Sequence, residues 1–143
     1  MFLLDTNVIS ELRRAKTGRA SKAAVDWAKS VPASNLFLSA ISILELEIGV
    51  LLVERRDRSQ GKSLRKWLEE QVLRAFSDRI LPVDTKTALR CAALHVPNPH
   101  SERDALIAAT ALTHGMTVAT RNTADFRSTG VSLVNPWQHH PAQ

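Results

Sequence analysis

The chain opens Phe2-Leu3-Leu4-Asp5-Thr6-Asn7-Val8-Ile9-Ser10-Glu11-Leu12, and the fold is decided here. Leu3 and Leu4 read as a short buried strand that Asp5-Thr6-Asn7 ends. Val8, Ile9 and Leu12 then keep a helical spacing, with Glu11 and Arg13 on the polar side. A strand that passes straight into a helix begins a crossover, the connection that parallel strands need. Open α/β sheets hold their sites outside the carboxyl ends of the strands, where Asp5 stands. Asp5 also suits a plain helix cap.

Further short apolar runs follow the same logic. Leu36-Phe37-Leu38, Ile80-Leu81-Pro82-Val83, Thr117-Val118-Ala119-Thr120 and Val131 to Val134 read as strands. Pro82 confines its strand to an edge or an end, because proline donates nothing to a ladder. Helical spacing marks Ser21 to Lys29 (Ala24, Val25 and Ala28 inward), a long helix begun by Ser42, then Lys62 to Phe76, Thr85 to Leu94 and Ala105 to Leu112. Strands separated by helices imply parallel pairing and an α/β class. Residues 1–135 make one domain, and the tail 136–143 has no periodicity. His139 and His140 in that tail read as polar ends more readily than as ligands.

At 143 residues the chain can bury roughly two-thirds of its unfolded surface, enough for a core without disulfides. The lone Cys91, among Ala92, Ala93 and Leu94, reads as a buried thiol and fits a reducing cytoplasm. Asp5 interrupts the apolar start too early for a signal peptide. Ile41 to Val53 carries Glu45 and Glu47 and is too short to span a bilayer, so no membrane partner is expected. A net charge of +5 favours an anionic partner.

Candidate site residues are the acids Asp5, Glu45, Asp104 and Asp125, each at or just past the junction of an apolar run and a polar or helical start. Each has a bland alternative. Ser42 to Glu45 and Ser101 to Asp104 have capping-box spacing, and an acid in a first turn suits the helix dipole. The remaining acids serve as controls. Glu47 points to another helix face, and Glu54, Asp57, Glu69 and Glu70 read as solvated surface. Asp78 and Asp84 suit turns or caps. If the four candidates converge, they need a cation between them. Oxygen-only ligands select hard ions, so Mg²⁺ or Mn²⁺ is expected, activating water for attack on phosphorus. Arg13, Arg14, Lys16, Arg19 and Lys22, and a second stretch from Arg55 to Lys66, offer cations for phosphates. Both stretches read equally as solvated helix faces.

Leu3-Leu4-Asp5-Thr6-Asn7-Val8-Ile9-Ser10-Glu11-Leu12 resembles the opening of the PIN-domain ribonucleases, especially the bacterial VapC and FitB-like toxins. Glu45-Leu46-Glu47-Ile48-Gly49, Asp104-Ala105-Leu106-Ile107-Ala108-Ala109 and Thr120-Arg121-Asn122-Thr123-Ala124-Asp125-Phe126 resemble that family's later motifs, in order across nearly the whole chain. The resemblance implies a three-layer α/β/α fold with a central, mainly parallel sheet of four to five short strands. It implies a Mg²⁺- or Mn²⁺-dependent RNase and carries metal roles onto Asp5, Glu45, Asp104 and Asp125. Thr6, Asn7, Thr120 and Asn122 would support the acids or their waters. The clustering of charge, apart from the resemblance, puts Arg13, Arg14, Lys16 and Arg19 forward as RNA contacts. A homodimer, a small antitoxin, and operator DNA held through that antitoxin are the implied partners.

Two other functions compete. A phosphatase with an aspartyl nucleophile also begins with Asp after a strand, but wants a second acid two residues on, where Asn7 stands. A non-catalytic nucleic-acid-binding subunit would use the same basic faces, although bare carboxylates repel phosphate.

Overall fold

A computed structural model describes residues 1–141. The strands β1 (Phe2–Leu4), β2 (Leu36–Ser39), β3 (Ile80–Leu81), β4 (Thr117–Ala119) and β5 (Leu133–Val134) form one sheet, ordered β3-β2-β1-β4-β5. Every pairing is parallel. Helices therefore fill the connections: α1 (Thr6–Arg13) and α2 (Lys22–Ser30), α3 (Ala40–Arg56) and α4 (Arg58–Trp67), α5 (Thr85–Leu94) and α6 (Glu102–His114), and the short α7 (Thr123–Phe126). β3 and β5 are the edges, which accommodates Pro82 just past β3.

Strand alternation divides the apolar residues between two cores. Leu4, Leu36, Leu38 and Ala119 pack with Val8, Ile9, Trp27, Leu46 and Val50 on one face. Leu3 and Val118 pack with Ile107, Ala108, Ala111 and Phe126 on the other. A sheet covered on both faces explains why its strands read as continuous apolar runs. The result is the three-layer α/β/α architecture.

Several local readings need correcting. In α2 the buried residues are Ala24 and Trp27, with Val25 and Ala28 only partly covered. Trp27 meets Phe2 edge-on, at 5.2 Å between centroids and 84°. α3 starts before Ser42, because Ser39 at the end of β2 caps it, accepting from the Ile41 and Ser42 amides at 2.9 and 3.3 Å. Ser42 is fully buried inside the helix and its hydroxyl finds no protein partner. Glu45 thus lies beyond the first turn and is not part of a capping box. The expected helix from Lys62 begins earlier, at Arg58, where Asp57 accepts from the Gln60 amide at 3.1 Å. It then widens into a π-helical turn over Leu68–Leu73.

The α3–α4 hairpin is closed tightly. A Cβ on Gly61 would lie 2.5 Å from the Glu54 Cα, so only glycine permits this approach. Arg65 donates to Glu47 at 2.6 and 2.7 Å and to Glu54 at 2.9 and 3.2 Å. Glu54 is thus clasped together with Glu47 rather than merely solvated, and Arg65 is withdrawn from the second basic stretch. Hydrogen bonds from Arg65 hold both carboxyls below their usual range. Cys91 is buried, as its neighbours imply, and burial pushes its thiol up.

Candidate active site

From β1 the chain builds outward to β2 and β3, then returns to place β4 and β5 on β1's other side. A crevice opens at such a switch point, outside the carboxyl ends of the two central strands. Asp5 follows β1 there, and Thr120 follows β4. The Asp5 amide donates to the Ala119 carbonyl at 2.9 Å, extending the ladder by one residue.

The acid is oriented from several sides. Thr120 Oγ1 donates to Asp5 Oδ2 at 2.8 Å, and the Thr6 amide donates to Oδ1, also at 2.8 Å. Asn7 Nδ2 lies 3.4 Å from both Asp5 Oδ2 and Thr120 Oγ1. The Asn122 amide donates to Thr120 Oγ1 at 3.0 Å, so Asn122 acts through its backbone. Thr6 Oγ1 donates to Glu45 Oε1 at 2.7 Å, joining α1 to α3. Thr6, Asn7, Thr120 and Asn122 therefore form a connected frame around Asp5 and Glu45.

Asp5, Glu45 and Asp104 line one cleft of about 430 Å³, together with Arg14, Arg121 and Trp137. Asp5 is only 6% exposed. Burial raises its pKa most, against the lowering hydrogen bonds from Thr120 and the Thr6 amide; Glu45 and Asp125 push it further up. Asp104 is likewise raised, first by burial and then by Asp5, Asp125 and Glu45. Asp125 is exposed on α7 and does not line the cleft, yet its charge reaches both acids. Arg103 Nη1, 3.6 Å from Glu45 Oε2, is the cation closest to ion pairing with these four acids among the described residues. Such a set favours protonation or a bound cation, since crowded carboxylates resist joint ionisation.

Residues 2–131 match the PIN domain family model. This chain belongs to the PIN-domain family. It is 38% identical to the VapC ribonuclease Y4jK of Sinorhizobium fredii over 96% of this chain and 99% of that one. Toxin FitB of Neisseria gonorrhoeae is also 38% identical, over 96% and 99% of the two chains. The solved structure of FitAcB from Neisseria gonorrhoeae superposes with a TM-score of 0.88 at 37% identity, covering 96% of this chain and 99% of that one.

Within this PIN domain the basic residues of the first stretch part company. Arg14 enters the cleft, 3.6 Å from Glu11. Arg13 turns the other way, over the Trp67 ring at 5.7 Å. Lys16 borders a separate groove with Leu36, Trp67 and Phe76. Arg19 is exposed past the left-handed Gly18 (φ 70°) and does not line the cleft. Glu11 is buried rather than on the polar side, because its carboxylate accepts from the Ser21 amide at 2.7 Å where α2 begins.

Four cleft residues escaped the sequence reading: Ser10, Glu11, Arg121 and Trp137. Arg121 sits inside the quoted Thr120–Phe126 motif and was legible there as a cation beside the acids. Trp137 comes from the tail, where Asn135 caps a short turn over Pro136–Gln138 that packs against α2. The Arg121 guanidinium stacks on the Trp137 ring at 5.4 Å. Residues 136–138 of the expected tail thus pack against α2, while residues 142 and 143 lie outside the described residues. No helix among the described residues is long and apolar enough to cross a membrane.

Proposed function

We propose that this protein is a Mg²⁺- or Mn²⁺-dependent ribonuclease that hydrolyses RNA phosphodiester bonds, and the toxin of a toxin–antitoxin pair. The observation that carries the reading is the pair Asp5 and Asp104, both with pKa values pushed up in a cleft that Arg14 and Arg121 also line. The names of the similar VapC ribonuclease and FitB toxin support it.

The donor set is oxygen alone, which fits a hard cation. Among the described residues no three acid, imidazole or thiol groups gather into a ready metal cage. An open set fits Mg²⁺, which keeps several waters and takes one or two carboxylates. Asp5, Asp104 and Glu45 would hold the ion and its waters in the cleft, with the charge of Asp125 reaching Asp5 and Asp104 from outside it. The bound ion supplies an acidified water and charge stabilisation at phosphorus. Thr120, Thr6 and Asn7 keep the acids in place while the substrate enters. Arg14 and Arg121 attract and orient the phosphodiester and balance charge on its oxygens.

An antitoxin partner, operator DNA bound through it, and a homodimer complete the proposal. Support comes from the solved structure of FitAB bound to an IR36 DNA fragment, with a TM-score of 0.88 at 35% identity over the whole of both chains. Exposed Leu44, Leu51 and Leu52 on α3 offer apolar surface for a second copy. An Arg or Lys from the antitoxin would suit the acids by charge-assisted hydrogen bonds.

The test is cleavage of single-stranded RNA by purified protein with and without metal. Chelation should abolish cleavage, and added Mg²⁺ or Mn²⁺ should restore it. RNA bound but never cut, at any metal concentration, would favour the binding-subunit reading instead. Release of phosphate from monoesters would favour the phosphatase, against which the Asn7 amide beside Asp5 already weighs.

A further inference from the structure

We infer that the groove leaving the acid cleft between α1, α3 and α4 carries the RNA strand away from the scissile bond, with a phosphate held at its far end by Arg13 and Arg56. The inference rests on the ribonuclease reading and adds a binding site remote from the acids.

Three depressions form one path. The acid cleft shares Thr6, Ser10 and Glu45 with a groove of about 240 Å³. That groove shares Arg13, Val53 and Leu64 with a further depression of about 270 Å³, bordered also by Arg56, Ser59, Gln60 and Ser63. Acids mark one end, and the far lining holds two arginines, two serine hydroxyls and an amide with no carboxylate among the described residues. Neither Arg13 nor Arg56 is ion-paired among the described residues. Asp57 is close in sequence, but it caps α4 by accepting from the Gln60 amide at 3.1 Å.

The floor between the ends is apolar. Val53, Leu64 and Trp67 are each partly buried, and Arg13 lies over the Trp67 ring. An aromatic and apolar floor with a cationic rim is the chemistry that binds single-stranded nucleic acid, through stacked bases and tracked phosphates. An acidic peptide would suit the far end but not the carboxylates at the near one. A phosphodiester chain suits both, since metal would cover the acids and arginines meet the next phosphates. The same placement gives the charged stretch from Val53 to Gly61 a task.

The test compares labelled single-stranded RNAs of increasing length on folded wild-type, Arg56→Ala and Ser63→Glu proteins in Mg²⁺. Both positions are exposed, and thermal melting checks that each variant is folded. KM for long RNA should rise on the order of tenfold, and the penalty should shrink as the RNA becomes too short to reach Arg56. The salt dependence of binding should flatten by roughly 0.7 for Arg56→Ala, one single-strand phosphate contact. Equal KM changes at every length, or none, would overturn the path while leaving the ribonuclease reading intact. No cleavage by the wild type would instead sink that reading. If RNA kinetics are unchanged but Arg56→Ala abolishes binding of the antitoxin encoded beside this chain, the groove belongs to a protein partner and the inference fails.

Discussion

Glu45 and Glu47 lie two residues apart on α3, in clusters of opposite character. On one side Glu47 joins Glu54 around Arg65, whose guanidinium meets them at 2.6 and 2.9 Å, and both carboxyls titrate below their usual range. On the other side Glu45 joins Asp5, Asp104 and Asp125, whose nearest ion-pair cation is the half-exposed Arg103 at 3.6 Å. Asp5 and Asp104 titrate above their usual range, burial being the main cause. The protein supplies its own counter-ion to the first cluster, which thereby fastens two helices. It leaves the second short of positive charge. Asp5, buried and framed by the Thr120 hydroxyl and the Thr6 amide, and the partly covered Asp104 have no ion-pair partner among the described residues. That arrangement favours protonation or a cation from outside.

The widest gap between the clusters should appear on substituting Asp104. Asp104→Asn keeps the shape and removes one charge, so RNA cleavage should fall on the order of a hundredfold or more. The metal-free variant should nevertheless melt higher than wild type at neutral pH. The sign follows from linkage: a carboxyl whose folded pKa is raised opposes folding once ionised. Metal-free wild type should therefore gain stability from the cleft as pH falls through those raised values toward the ordinary carboxylate range. The Arg65 clasp works oppositely, being present above the ordinary range and lost as pH falls through the depressed values. Melting curves against pH for the metal-free pair of proteins check this, and an Asp104→Asn protein that melts lower at neutral pH would contradict it.

A smaller effect is expected from the frame around the acids. Thr120→Val preserves volume but removes the hydroxyl that donates to Asp5 at 2.8 Å. Losing such a support commonly costs about ten- to a hundredfold in metal affinity or activity. The metal concentration for half-maximal cleavage should rise accordingly. No shift would mean that Thr120 only fills space.

The least effect on chemistry should come from the clasped side. Gly61→Ala forces a methyl group to within 2.5 Å of the Glu54 backbone, an overpacking that typically costs about 1–3 kcal/mol. Denaturant unfolding should show that loss, while the folded protein still cleaves RNA. A collapse of cleavage in a folded Gly61→Ala protein would show that the two clusters are coupled after all.

The sequence showed these clusters unequally. Asp5 and Asp104 were legible because strand ends and helix starts are local signals, carried by a few adjacent residues. Glu54 looked like a solvated acid, and Glu47 only like one on another helix face, because their partner, Arg65, belongs to another helix and only the hairpin brings it back. Ser42 misled for a related reason: capping-box spacing is local, but β2 runs directly into α3 and Ser39 takes the cap first. Glu11 followed the helical period to the polar side, whereas the backbone of α2 claims its carboxylate. Trp137 had no pattern at all around it. Its place beside Arg121 depends on β5 completing the sheet and the last turn lying against α2.

The hydrogen bond from Thr120 to Asp5 joins residues 115 positions apart. Asp5 precedes its partner strand, β4, by most of the domain, and Trp137 comes later still. A growing chain on the ribosome thus carries Asp5 with only its neighbours Thr6 and Asn7 against that carboxylate until Thr120 emerges. The frame around Asp5 closes only once β4 has been made and pairs with β1.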